Sequence, residues 1–489
     1  MSSAQPVMSR LPGERRTIAL GVIALLAVLV RTPLLDSLTH DTTIYVVPWY
    51  EHVLANGLSA LGEAAPNLNG ETGGNYSPPY YYLLYVVGWF DGLFPAIWLI
   101  KFISFGFDAL AAYFAYKLVR LHLSEMRALL AAAAVLLAPT IVANSAWWGQ
   151  ADMMWTSLIL GSLYCTLSSR PFTAGVLFGV GLSFKAQAIF LGPFLLMLWL
   201  QGEMRLKHFI VAPLAFGAMM LPAIFMGRNP VEAMTIYLQQ AGYFQELSMN
   251  APNLYVFAPD SLYAVGTAAG LLLAAASALG LAALPRVSGA VMDNRAKILA
   301  ATMFVALMPF LLPKMHDRYF FAADVFAILL AVYAPRLWFV PVLFQASSLA
   351  AYVPVITWNL SGLTNVVSAP VAAGALINTV AIGGLVLLYW LACRRPSEPT
   401  ALAVKHFGMS AVSLCSALAL WQGIAFLQAK RCSQEGGIES LLCARPVSAD
   451  LVYAGALQWM AFALLVASAY VLCRFWLLPW LERRRAAST

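Results

Sequence analysis

Long apolar runs recur along the whole chain, and they decide what it can fold into. A membrane-crossing helix needs about 20 apolar residues. Candidate runs fall at about 17–35, 96–118, 127–145, 153–168, 172–184, 188–201, 208–226, 262–284, 297–312, 319–334, 338–356, 370–392, 406–428 and 451–473. The charge content agrees: of 489 residues, 61% are apolar and only 10% are Asp, Glu, Lys or Arg, against roughly a quarter charged in a soluble domain. So few charges cannot coat a water-facing surface. That excludes a soluble enzyme, a nucleic-acid-binding domain and a disordered chain. The expected class is an all-α polytopic membrane protein with a bundle of about 14 transmembrane helices. The segment 80–94, broken by Gly88, Asp91 and Gly92, reads as an interfacial helix in the first outer loop.

The net charge of +7 is read through the excess of Lys and Arg in cytoplasmic loops. Arg10, Arg15 and Arg16 precede the first run. Lys117, Arg120 and Arg127, then Arg170, then Arg205 with Lys207, then Arg286, Arg295 and Lys297, then Arg336, the segment Arg394–Lys405 and the tail Arg483–Arg485 fall at alternate connections. All come out on one side, the cytoplasm, together with both termini. The longest opposite loop, 32–100, has no Lys or Arg. Making 80–94 a full span would put the Lys117–Arg127 cluster outside. The basic N-terminus and the apolar run after it could pass for a signal peptide, but no small-x-small cleavage site follows, so it reads as a retained first helix. Cys432 and Cys443 share an outer loop, 428–450, where a disulfide is plausible and two free thiols are the plainer alternative. No Cys or His spacing suggests a metal site.

Polar residues that interrupt this pattern mark the candidate chemistry. Asp41 follows the first run and leads into Tyr45, Trp49 and Tyr50; Asn75-Tyr76-Ser77-Pro78-Pro79 comes later in the same loop. A carboxylate at the membrane surface can meet a lipid-linked substrate from the bilayer and a polar one from water. The aromatic residues suit sugar stacking or an ordinary interfacial belt. Trp148-Gly149-Gln150-Ala151-Asp152 separates two apolar runs, and Asp152 also fits a helix N-cap. Lys185, next to Gln187, interrupts an apolar stretch on the side normally poor in lysine. Lys314-Met315-His316-Asp317-Arg318 packs four ionisable groups into five residues, which suits holding an anion; the plainer reading is a solvated turn. The loop 227–261 carries Asn250 and Asn253 among other amides and aromatics, equally fit for sugar contact or a plain outer loop.

Taken together these pieces resemble the GT-C class of integral-membrane glycosyltransferases, most closely the bacterial relatives of the second mannosyltransferase of glycosylphosphatidylinositol synthesis. The resemblance runs over Asp41 with Tyr45 and Trp49, Asn75-Tyr76-Ser77-Pro78-Pro79, Trp148-Gly149-Gln150-Ala151-Asp152, Phe184-Lys185-Ala186-Gln187, Asn250-Ala251-Pro252-Asn253-Leu254 and Lys314-Met315-His316-Asp317-Arg318-Tyr319, from about 40 to 320. Asp317 stands where the family more often has Glu, and Ala186 where it more often has Pro. The resemblance implies a catalytic membrane module over 1–334, with first outer loop 36–95, and a C-terminal set of helices over 335–489.

It also implies a polyprenyl-phosphate sugar donor and a reaction outside the cytoplasm. Asp41 would be the general base. His316, Arg318, Lys314 and Lys185 would hold the donor phosphate. Asp152, Gln150, Trp148, Gln187, Tyr76, Asn75, Asn250 and Asn253 would contact substrate. The expected reaction is inverting transfer of mannose or another hexose to a hydroxyl on a glycan, lipid or protein. No cofactor is required, and Asp41 and Asp152 would bind a divalent metal only if they converged. The alternatives are a transporter or flippase of lipid-linked sugars, and a glycan polymerase or ligase using lipid-diphosphate donors.

Overall fold

The structure, a computed structural model, describes residues 11–72, 76–240, 245–258, 262–357 and 368–394. Asn75, Cys432, Cys443, the expected spans 406–428 and 451–473, the loop between them and the basic tail lie outside the described residues. The described helices form one compact unit that runs to Arg395.

Every apolar run from 17 to 392 is helical. Helix α1 is Gly13–Arg31, α2 Val47–Asn56, α3 Pro78–Gly88, α4 Ala96–Arg120 and α5 Glu125–Leu137. A break at Ala138 turns α5 into α6, Pro139–Val142, with a bend of 45°, as expected where proline cannot continue the hydrogen-bond ladder. There follow α7 Asp152–Leu167, α8 Pro171–Phe184, α9 Gly192–Leu200, α10 Leu206–Phe225, the short α11 Pro230–Met234 and α12 Ile236–Gln240, then α13 Tyr263–Ser288, α14 Asn294–Leu311, α15 Phe321–Tyr333, α16 Phe339–Ile356 and α17 Ser368–Cys393. Seven helical stretches are long and apolar enough to cross a membrane, or eight if the bent pair counts as one. The protein is therefore an integral membrane protein. Fewer helices than runs pass that test because α7, α8, α9 and α15 have only 9 to 16 residues.

Connectivity sends the long helices back and forth, so their connections gather at two ends. The basic end is knitted by Lys297 to Glu203 (2.6 Å), and by His122 to Asn294 (2.7 Å) and to the Tyr333 hydroxyl (3.1 Å). The opposite end carries the first loop and the connections around 150, 185 and 315. Gly175 and Gly179 let α8 approach α10 closely: a Cβ at either would run into the backbone of His208 or Ala212. This is the small-residue packing by which helices associate in lipid.

The buried face of α4 is polar, with Lys101, Ser104 and Asp108 all at most 2% exposed. Asp108 receives Arg31 from α1 at 2.8 and 3.2 Å, and Arg31 also donates to the carbonyls of Ala27 and Leu136. Lys101 donates to the carbonyls of Leu34, Leu35 and Ser37 at 2.7–3.0 Å. These carbonyls belong to the turn that follows α1, so one buried ammonium fixes the path of the chain toward Asp41. Removing one partner of a buried ion pair strands the other charge and costs about 3–5 kcal/mol. Arg31→Ala is accordingly expected to lower thermal stability in detergent sharply. The double replacement Arg31→Met with Asp108→Leu is expected to recover most of the loss, as differential scanning fluorimetry would read.

Candidate active site

Four segments meet at the end of the bundle opposite the basic connections. Asp41 directly precedes a π-helical turn, Thr42–Val46, and a second π-helical turn, Ala143–Trp148, leads into Gly149. Such turns are rare and often sit at functional sites. Gly149 has φ 74°, and a Cβ there would stand 3.0 Å from the Thr42 side chain. Glycine thus allows both the left-handed turn and the close approach that lays Trp148 and Gln150 against Asp41. Ser104 secures the same stretch from α4, donating to the Gln150 carbonyl at 2.7 Å.

The third segment lies between α14 and α15. Two-residue strands, β1 Ser248–Met249 and β2 Met315–His316, pair in parallel. Lys314 N–H donates to Leu247 and Asp317 N–H to Met249, at 2.8 and 3.0 Å. Lys314 has φ 63°, a backbone state disfavoured for a side chain with a Cβ and held by this pairing. The fourth segment is the break after α8, where Lys185 takes an extended backbone.

Around Asp41 all three side-chain hydrogen bonds end on Oδ2: from Gln150 Nε2 at 2.7 Å, Trp148 Nε1 at 3.2 Å and Arg318 Nη1 at 3.3 Å. Tyr76 donates its hydroxyl to Gln150 Oε1 at 2.7 Å. Asp152 is fully buried. Its Oδ1 receives Lys185 Nζ at 2.7 Å and its Oδ2 receives Asn144 at 2.9 Å. The Arg318 guanidinium lies between the acids, with Nε 3.6 Å from Asp152 Oδ2 and Nη1 3.6 Å from Asp317 Oδ1, and it also faces the Trp148 ring. Lys185 lies 4.5 Å from the centre of the Tyr76 ring, and Lys314 reaches the Tyr263 hydroxyl at 2.7 Å.

These groups line one cavity of about 640 Å³, whose wall includes Asp41, Tyr76, Gln150, Lys185, Gln187, Lys314, His316 and Arg318. Trp148 touches Asp41 from behind and Asp152 supports Lys185 and Arg318; neither is on the cavity wall. Two residues assigned to substrate contact sit elsewhere. Asn253 is fully buried and satisfies backbone instead, accepting from Tyr255 N–H and donating toward the carbonyls of Pro309 and Leu312. Asn250 is exposed, at φ 58°, beside the strand pair. An Asn-Ala-Pro-Asn stretch looks alike whether its amides bind substrate or brace a turn. The reverse omission is Asp317, whose carboxylate is buried at the cavity. Its neighbour Arg318 was the available signal.

Electrostatics corrects the reading of His316 as a cation. Burial pushes its pKa down to about 3, helped by Arg318 and Lys185, so at neutral pH the ring is a neutral hydrogen-bonding group. Burial pushes Asp317 up to about 7, with Arg318 opposing and the other two acids adding. Among the described residues no three His, Cys, Asp or Glu side chains are grouped to hold a metal ion.

The model of glycosyltransferase family 87 matches residues 75–313, just under half of the chain. The match supports a membrane glycosyltransferase reading of this helical bundle. The match spans Tyr76, the Trp148–Asp152 motif, Lys185 and Gln187, and ends just before Lys314. Among solved structures, the crystal structure of ArnT from Cupriavidus metallidurans bound to undecaprenyl phosphate aligns with a TM-score of 0.48 at 15% identity, over 86% of this chain and 81% of that one. No curated protein matches.

Because Asp317 titrates near neutrality, the site loses one positive unit as pH rises through about 7. An anionic ligand is therefore expected to bind more tightly at pH 6 than at pH 8. Asp317→Asn is expected to flatten that dependence, as the KM for an anionic sugar donor, measured across this range, would show.

Proposed function

We propose that the enzyme moves a hexose, mannose by resemblance, from a polyprenyl-phosphate donor to an acceptor hydroxyl, with inversion at the anomeric carbon. The observation that carries this reading is the meeting of Asp41 and Arg318 at 3.3 Å in one cavity. Transfer needs a base for the hydroxyl proton and a stabiliser for the charge that builds on the departing phosphate. Here the two stand side by side, from residues 277 apart in sequence.

Asp41 is the base. Gln150, Trp148 and Arg318 occupy Oδ2 and orient the carboxylate, which leaves Oδ1 to take the acceptor proton. The acceptor oxygen forms its bond to the anomeric carbon as the bond to the phosphate oxygen breaks, and the electron pair leaves with the phosphate. Arg318, Lys185 and Lys314 hold that anion, with His316 as a neutral hydrogen-bonding partner. Three cations against Asp41 and Asp152 leave one positive charge for the single negative charge of a phosphodiester when Asp317 is protonated. Direct attack of the acceptor oxygen in one displacement, opposite the departing phosphate, inverts the anomeric carbon. Beside Lys314 the cavity turns apolar along Tyr263, Thr267 and Leu271 of α13. These positions share one helix face, a surface suited to an isoprenoid chain.

The site end is opposite the basic connections, which supports an extracytoplasmic reaction with both termini in the cytoplasm. The charged groups that line the cavity sit at the bundle end rather than midway along the helices. This weighs against a flippase, whose sites lie near the bilayer midplane.

With polyprenyl-phosphate-linked radiolabelled hexoses as donors, Asp41→Asn is expected to cut turnover at least about 100-fold while the protein stays monodisperse. Near wild-type turnover in that variant would refute the assignment. Arg318→Lys keeps a charge but not the planar fork that bridges the acids. It is expected to lower kcat by roughly 100-fold or more, with release of polyprenyl phosphate falling in parallel.

A further inference from the structure

We propose that Arg228 is a second anion-binding point, separate from the catalytic cavity, and that it takes the phosphate of a membrane phospholipid at the outer end of α10. Arg228 is not on the cavity wall, and the proposal does not rest on the glycosyl-transfer reading.

Arg228 is a buried cation with too few partners. The residue is 8% exposed. Its Nη1 donates to the Glu63 carbonyl at 3.0 Å, its one hydrogen bond among the described residues. Its Nε is enclosed without a partner. Nη2 has no partner either but is not enclosed, so this edge of the planar fork is open. No carboxylate among the described residues pairs with it. Tyr81 and Tyr82 lie close enough to feel its charge, but phenols are neutral at pH 7. Lys101, also buried and without an acid partner among the described residues, donates to four oxygens instead. A buried guanidinium left with one neutral acceptor is costly, and an anion at its open edge would complete it.

Position says which anion. Helix α10 begins beside Arg205 and Lys207 at the basic end and has 20 residues. At 1.5 Å per residue it is about 30 Å long, the thickness of the hydrocarbon core. Arg228 follows shortly after its far end at Phe225, which places it at the level of the outer lipid headgroups. Ile210, Leu214, Leu221 and Phe225 are 45–76% exposed. At helical spacing they share one outward stripe that leads toward Arg228. Gly62 closes the other side: a Cβ there would run into the Met226 backbone. The first loop therefore lies against the end of α10 and delivers the Glu63 carbonyl to Nη1. An acyl chain along the stripe and a phosphate at the guanidinium satisfy both parts of this surface, and arginine grips phosphate oxygens with charge-assisted hydrogen bonds. A free inorganic phosphate would use the charge and leave the stripe bare.

The test is native mass spectrometry of the full-length protein in a non-ionic detergent. The probes are dioleoyl phosphatidylglycerol, dioleoyl phosphatidylcholine, dioleoylglycerol and, separately, inorganic phosphate. Both phospholipids share the phosphodiester and are expected to bind the wild type more tightly than dioleoylglycerol does. Arg228→Gln keeps a donor for the Glu63 carbonyl but no charge. It is expected to weaken the first phospholipid-binding step about 10-fold or more, the scale of a hydrogen bond to a charged group, and to leave dioleoylglycerol unaffected. Phe225→Glu is the second variant, because that side chain is 76% exposed and folding does not depend on it. An acid there is expected to weaken phospholipid binding in the same direction. Unchanged phospholipid affinity in a folded Arg228→Gln or in Phe225→Glu would overturn the proposal. So would dioleoylglycerol binding as tightly as the phospholipids, or displacement of bound phospholipid by millimolar inorganic phosphate, which would assign the point to a free anion. The readout needs no turnover, so loss of the transfer reading would leave it standing.

Discussion

The Arg318 guanidinium holds the site together. It reaches Asp41, Asp152 and Asp317 at 3.3 to 3.6 Å, and those three acids come from three separate stretches of chain. Three carboxylates this close, with one fully buried, would repel and desolvate one another without a cation among them. Lys185 takes part of the load by pairing with Asp152 at 2.7 Å. The arrangement costs stability. It leaves charge concentrated at the cavity wall, in a setting where electrostatic interactions are stronger than in water.

The fold serves this arrangement by fixing loops rather than by presenting side chains from long helices. Lys101 and Ser104 on the buried face of α4 hold the two stretches that flank Asp41: one grips the carbonyls at the end of α1, the other the carbonyl of Gln150. The short β1–β2 pair does the same for Lys314 to Arg318. Irregular backbone is tolerated at membrane proteins only where it is buried in protein or lines a cavity, and here it does both.

Much of this was legible in the residues. The apolar runs gave helices at every expected position through 392, because a 3.6-residue helix is the chain's one way to satisfy its backbone in lipid. Asp41, Lys185 and Arg318 stood out because isolated charges among apolar runs are expensive. The break at Pro139 and the shortness of α7 to α9 were less visible, since hydropathy reports burial in lipid or in protein alike. Lys101 and Asp108 were also charges inside an apolar run and passed unremarked; their partners are backbone carbonyls and an arginine from another helix. Asn253 goes the other way, its amide satisfying backbone, because turn-bracing amides and ligand-binding amides share one vocabulary.

The sequence by itself determined the class of the protein, the helix positions, the charge asymmetry between the two ends and most of the groups at the site. Those follow from local solvation, which each residue expresses wherever it lies in the chain. Only the tertiary structure decided that Arg318 sits between Asp41 and Asp152, that His316 is neutral rather than charged, and that Asn253 braces backbone. Proximity across hundreds of residues and the dielectric around a side chain arise from packing, and no local pattern encodes either one.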